Sequence, residues 1–99
     1  MAGFIQIIEY RTSRFDEMVE LGREREQNDR DSLARRVTVT ADRDRPGTYL
    51  TIVEFDSYEA AMENSKRAQT QQFAEQMAKL TDGPPTFYNL EVKDSFEMG

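Results

Sequence analysis

"FIQIIEYRT", residues 4–12, alternates Phe4, Gln6, Ile8 and Tyr10 with Ile5, Ile7, Glu9 and Arg11, and is rich in residues that favour extended backbone. Both sets carry apolar side chains. A strand that is apolar on both faces needs cover on both, so it belongs at the centre of a sheet with something packed on each side. The elements that follow decide what that cover is.

Ser13 can cap a helix whose apolar positions Phe15, Met18, Val19 and Gly22 follow the three-four rhythm, with Asp16 and Glu17 in its first turn. From Arg23 to Ser32 no apolar residue occurs, as in a solvated helix end or a loop. "ARRVTVTADRDRPGTYLTIVEFDS" reads as a hairpin: a strand over Arg35 to Ala41, a turn around Asp42 to Gly47, and a strand over Thr48 to Phe55. Asp56 or Ser57 then starts a second helix, Asp56 and Glu59 having the spacing of a capping box, and "DGPP" (82–85) ends it. "TFYNLEV" alternates again as a last strand.

The order strand, helix, strand, strand, helix, strand is the α+β, ferredoxin-like βαββαβ arrangement, with a four-stranded antiparallel sheet and its helices on one face. The other face is bare. Ile5 and Ile7 make its centre apolar, so a second copy of the chain is the expected cover, giving a homodimer through the sheet faces. Residues 1–93 make one domain and 94–99 a C-terminal tail. A chain of 99 residues hides only about 65% of its unfolded surface, so burial by a partner subunit would help it.

Charged residues are 32% of the chain against 37% hydrophobic, and the net charge is −6, with Lys and Arg interleaved among acids. That pattern is unsuited to neutralising phosphates, so no nucleic acid is expected. With no Cys, no apolar run long enough to span a bilayer and no leader-like start, neither membrane insertion nor secretion is expected, and the cytoplasm is the default compartment. The chain also lacks His and Trp, and so has neither the usual general base nor the usual haem or zinc ligands. No metal and no cofactor is expected.

In its opening strand, in the hairpin ending "TYLTIVEFDSYEAA" and in the helix running to "QQFAEQMAKL", the chain resembles the dimeric α/β-barrel superfamily, most closely its antibiotic biosynthesis monooxygenase-like branch. The resemblance spans most of residues 3–92. It implies a homodimer whose sheets form a barrel, with a pocket in each protomer between sheet and helices; members include cofactor-independent oxygenases and haem-degrading enzymes. The Asn and Trp of the haem-degrading branch fall at Tyr10 and Phe55, and its helical His has no counterpart, so haem degradation is excluded. Many relatives carry a His pair before a helical Phe resembling Phe73; Gln69 and Thr70 stand there instead.

The pocket candidates are Gln6, Tyr10, Tyr49, Phe55, Gln69 and Phe73, with Phe87 or Tyr88 as a further aromatic. They would form an aromatic wall around a small planar ligand, oriented by amides and tyrosine hydroxyls. At one hundred degrees per residue, Gln69 and Gln76 share the inward arc of Met62, Phe73, Met77 and Leu80 if the helix is continuous, and Gln71 points outward; a kink near Ser65 to Ala68, which the resembling family tends to have, would reset this phase. Glu9 and Glu54 lie on the face opposite Tyr10 and Phe55, pointing into the dimer barrel, where Arg11 or Arg35 would bridge them. Which residue would act as a base is left open. Two function classes follow: a small-molecule pocket protein, with oxygenation of an aromatic or polyketide-like substrate as its catalytic form, and a non-catalytic dimeric module that binds a ligand or partner without turnover.

Overall fold

The computed structural model describes residues 3–99. The elements are β1 (Phe4–Arg11), α1 (Phe15–Asn28), β2 (Arg36–Ala41), β3 (Thr48–Phe55), α2 (Tyr58–Ser65), α3 (Ala68–Ala78) and β4 (Thr86–Glu91). They form one antiparallel sheet in the order β2-β3-β1-β4. β1 is central, paired along its whole length with β3 (Phe4 opposite Phe55, Tyr10 opposite Tyr49) and along most of it with β4 (Ile7 opposite Tyr88). This is the ferredoxin-like arrangement expected from the order of elements.

Register and alternation sort the side chains between the two faces. Phe4, Gln6, Ile8 and Tyr10 share the helix-covered face with Tyr49, Thr51, Val53 and Phe55. Phe4, Phe55 and Ala61 are buried together, with Leu33, Ala34, Val53 and Met62 packed around them and the Tyr58 ring edge-on to Phe4 at 5.4 Å. A second aromatic group lies under the start of α1, where Phe15 stacks on Tyr49 at 4.2 Å and Tyr49 stacks on Tyr10 at 5.9 Å. The opposite face carries Ile5, Ile7, Leu50, Ile52, Tyr88 and Leu90, and no helix or strand among the described residues covers it. Helix cover is also partial at the sheet edges, where Val37, Val39 and Phe87 are exposed.

Local chemistry explains the chain reversals. Gly47 takes φ +84° in the β2–β3 turn, a conformation that costs glycine little, and buried Thr48 accepts a hydrogen bond from Arg11. Gly3 is required for a different reason, since a Cβ there would lie 2.4 Å from the Asp56 carbonyl oxygen. Ser57, not Asp56, caps α2, its Oγ accepting from the Ala60 N–H at 3.1 Å. Ser13 caps nothing; the neighbouring Thr12 is buried, accepts from the Arg14 N–H and donates to the Leu80 carbonyl, tying the start of α1 to the end of α3. The polar run after Gly22 is the solvated half of α1 as far as Asn28.

The second helix is not continuous. It breaks at Lys66 and Arg67, and a polar cluster holds the break. Asn64 is buried; its Oδ1 accepts from the Leu33 N–H at 2.9 Å and from Arg67. Arg67 also grips Asp29, at the end of α1, through both guanidinium nitrogens, and Arg25 lies 3.4 Å from the same carboxylate. With its side chain only 5% exposed, Asp29 depends on these donors to remain charged. The Arg67 hydrogen bond holds its carboxyl below the ordinary value.

Replacing Asn64 by Ala strands the Leu33 N–H and should cost about 1–3 kcal/mol in urea denaturation. Asp29, with its folded pKa depressed, contributes stability that is complete above the ordinary carboxylate value and is lost as pH falls through that value to the lower folded one. Asp29→Asn should therefore flatten the acid limb of stability against pH, measured by denaturant midpoints across that range.

Candidate functional site

The six residues proposed from sequence occupy four places. Tyr10 and Tyr49 are brought together as neighbours across the β1–β3 ladder, with Phe15 stacked outside them. Gln6 is on the same face of β1, four residues before Tyr10, its Nε2 donating to Asn89 Oδ1 of β4 at 3.1 Å. Phe55 is in the core beside Phe4. Gln69 and Phe73 lie elsewhere, in a groove of about 230 Å³ between α1 and α3. The single aromatic wall expected from sequence is thus divided between the sheet and the helix pair. Phe87 lies on the helix side but is exposed, and Tyr88 projects from the bare face, where its hydroxyl donates to Glu9 at 3.2 Å.

The break between α2 and α3 corrects the helical phase. Gln69 and Gln76 are exposed and line the rim of the α1–α3 groove instead of facing the sheet, and Gln71 is exposed as expected. On a continuous helix the residues after the break would have kept the phase of Met62; restarting at Ala68 rotates them. Within the single chain the carboxylates and arginines near the bare face have partners of their own. Glu9 is met by Tyr88 and lies 3.4 Å from Arg45, whereas Arg11 donates to Thr48 and Arg35 pairs with Asp56.

Tyr10 is the most enclosed polar group of the sheet cluster. Its ring is buried, and its hydroxyl is hydrogen-bonded at 3.3 Å to Thr51 Oγ1, two residues beyond its ladder partner on β3. Burial raises the phenol above its ordinary value, more than the Thr51 hydrogen bond lowers it. At neutral pH it is therefore a neutral donor and acceptor, suited to orienting a ligand oxygen and unsuited to removing a proton. The Gln6–Asn89 pair adds amide donors and acceptors on the same face.

The helix groove has a different character. Arg25 lies over the Phe73 ring, 4.8 Å from its centroid, and donates to Thr70 Oγ1 at 2.8 Å. Burial lowers the Arg25 pKa, with the Asp29 charge acting against it. These bonds and the Asp29 contact use Arg25 to join α1 to α3.

Sequence reasoning missed Phe15, Thr51, Asn89 and Arg25. The first three become neighbours through register and the placement of α1, for which no local signal exists. The i,i+4 pairing of Arg25 with Asp29 was readable within the charged run. Among the described residues no three carboxylates converge as metal donors, and no helix is long and apolar enough to cross a membrane.

A scan of protein-family models and a search of curated proteins return no match. Solved structures do match. SnoaB, a cofactor-independent oxygenase from Streptomyces nogalater, aligns with a TM-score of 0.80 at 12% identity, over 99% of this chain and 100% of its own. A conserved protein from Methanosarcina mazei aligns at 0.79 with 9% identity, over 94% and 95% of the two chains. An antibiotic biosynthesis monooxygenase aligns at 0.71 with 15% identity, over 92% of this chain and 99% of the other. Near-complete coverage of both chains at these TM-scores gives this protein the fold of the antibiotic biosynthesis monooxygenase-like structures.

Proposed function

We propose that the protein is a homodimeric small-molecule pocket protein that binds a planar phenol or enol on the helix-covered face of its sheet, beside Tyr10. The observation that carries this reading is the Tyr10 hydroxyl, buried but bonded only to another hydroxyl, Thr51, beside stacked aromatic rings and an amide pair. Aromatic surface with a few oriented polar groups is what holds a flat, partly polar ligand. The cytoplasm remains the compartment proposed for it.

In its catalytic form the reaction is a cofactor-independent oxygenation, the activity by which SnoaB is described. The substrate supplies its own electrons. Its anion reduces molecular oxygen, a hydroperoxide forms at the ring carbon opposite the oxygen, and loss of water leaves a second carbonyl, so that phenol plus oxygen gives quinone plus water. The protein contributes a site that excludes water and the hydrogen bonds that hold the phenolic oxygen. One feature favours the alternative, ligand binding without turnover: Tyr10 is held protonated and its electrostatic neighbour is a second phenol, Tyr49, not a carboxylate. A substrate acidic enough to ionise in solution would need no base from the protein.

The dimer rests on area as well as pattern. The single chain exposes 7357 Å², where a folded monomer of this length exposes about 5,800 Å². The excess, about 1,500 Å² per chain, is ample beside the roughly 800 Å² that each partner gives to an interface of standard size. The bare sheet face, with Ile7 and Ile52 paired at its centre, is the surface proposed to meet its copy.

Two measurements test these proposals. A dihydroxynaphthalene titrated into the protein should bind in calorimetry, and Tyr10→Phe should weaken it up to about tenfold while shifting stability by no more than about 1 kcal/mol. Unaltered affinity in that variant would remove Tyr10 from the site; oxygen uptake with quinone absorbance separates turnover from binding. For the dimer, Ile7→Lys places a charge at the centre of the bare face and should give a monomer in sedimentation velocity with its circular dichroism retained. A normal dimer carrying that Lys would exclude this interface.

A further inference from the structure

The three helices are unequally anchored. Among the described residues α1 buries Met18 and α2 buries Ala61 and Asn64, whereas α3 buries none; its large apolar side chains, Phe73 and Met77, are only partly covered. Its local chemistry is also the weakest. α2 starts from the Ser57 cap with Glu59 in its first turn, and α1 has acids in its first turn and Arg25 in its last; α3 has no side-chain cap, no acid in its first turn and no base in its last. Burial, capping and charges at the ends stabilise a short helix, and α3 is poor in each.

The segment is nevertheless fixed at both ends. Before it, Arg67 holds Asp29, whose side chain is 5% exposed. After it, the Leu80 carbonyl accepts from buried Thr12 at 2.6 Å, and the Asp82 N–H donates to the Arg11 carbonyl at 2.8 Å. Between these points Arg25 joins the helix to α1 by donating to Thr70 and lying over the Phe73 ring, beside a groove of about 230 Å³ that leaves the two helices incompletely packed. One hydroxyl bond and one cation over a ring are small beside a buried apolar stripe. α3 follows α2, which sits on Phe4 and Phe55, and ends beside Arg11 and Thr12, so it runs the length of β1. α1 runs back from Tyr10 and Tyr49, and the seam between the two helices overlies the face that carries Gln6, Ile8 and Tyr10.

We infer that α3 is a gate: residues 68–79 detach from α1 as a unit between the two fixed ends, and Arg25 is the latch. A helix of eleven residues is marginal in water by itself, so on detaching it melts, and the groove widens into a passage to the sheet. The glutamines on the rim suit this role. Gln69, Gln72 and Gln76 face water when the gate is shut and lose no burial when it opens, where apolar side chains in their place would hold α3 to α1. Use of the passage by a ligand rests on the site proposed beside Tyr10; the opening itself does not.

Hydrogen exchange read by mass spectrometry tests the opening directly. Relative to their intrinsic rates, backbone amides of residues 72–78 should exchange about a hundredfold faster than those of β1 and β3. Arg25→Gln should speed them about tenfold further with β1 and β3 unchanged, and Ala68→Glu, which puts a carboxylate in the first turn, should slow them about threefold. Protection of α3 equal to that of β1 and β3, or exchange indifferent to Arg25→Gln, would overturn the gate. The passage is tested by stopped-flow binding of a dihydroxynaphthalene, where Arg25→Gln should raise the association and dissociation rates together about fivefold and leave Kd within about twofold. Faster exchange with unchanged binding rates would remove α3 as the entrance. A dihydroxynaphthalene that does not bind at all sinks the ligand site, and the exchange rates of α3 then decide the opening alone.

Discussion

β1 is hydrogen-bonded to a neighbour on each edge and is apolar on each face, and the rest of the structure follows from satisfying that strand. β3 and β4 complete its backbone ladder. Cover for its faces is unequal. Phe4 and Tyr10 are buried beneath the helices, at 2% and 4% exposure, while Ile5 and Ile7 on the reverse are only half-buried by their neighbours in the sheet. With fewer than a hundred residues the chain has three helices, and all of them are spent on one side. Among the described residues the reverse face of the sheet is consequently left as an open, largely apolar surface.

The helix-covered side is itself built from two separate anchors. α2 brings Tyr58, Ala61 and Met62 onto Phe4 and Phe55, and α1 brings Phe15 onto Tyr49 and Tyr10. Between these anchors the sheet presents Gln6 and Thr51, polar groups that bond to sheet neighbours and not to the helices. The Asp29–Arg67–Asn64 cluster fixes the outer layer, linking α1, the loop before β2 and the α2–α3 break. That division of labour leaves Gln6 and Thr51 bonded within the sheet between two aromatic anchors, the polar and aromatic surface on which the proposed ligand site rests.

One fold can carry unrelated chemistries, and the solved structures at 9–15% identity show a shared fold alone. The residues of this chain narrow the choice. The chain has neither His nor Cys, and burial holds its enclosed Tyr10 phenol neutral, so the site proposed beside it rests on orientation and shielding, not on a protein base.

The fold was legible because it is written in short-range patterns: two-residue alternation in β1, β3 and β4, proline and glycine at the turns, and a capping residue before α2. The expected hairpin agrees with β2 and β3 to within one residue at one end. Tyr10 and Tyr49 were named from composition and strand position, and register made them neighbours. Gln69 could not be placed in the same way. Helical phase accumulates along the chain, so the break at Lys66 and Arg67, itself held by Asp29 from more than thirty residues away, turned Gln69 and Gln76 outward. Thr51 and Asn89 were invisible for the same reason: their partners lie 41 and 83 residues distant. The sequence by itself determined which segments are strands and helices and that the central strand needs cover on two sides, since both depend on neighbours within a turn or two. Only the tertiary structure decided which polar groups meet, because register, helix phase and buried ion pairs are set by contacts between segments that the chain brings together last.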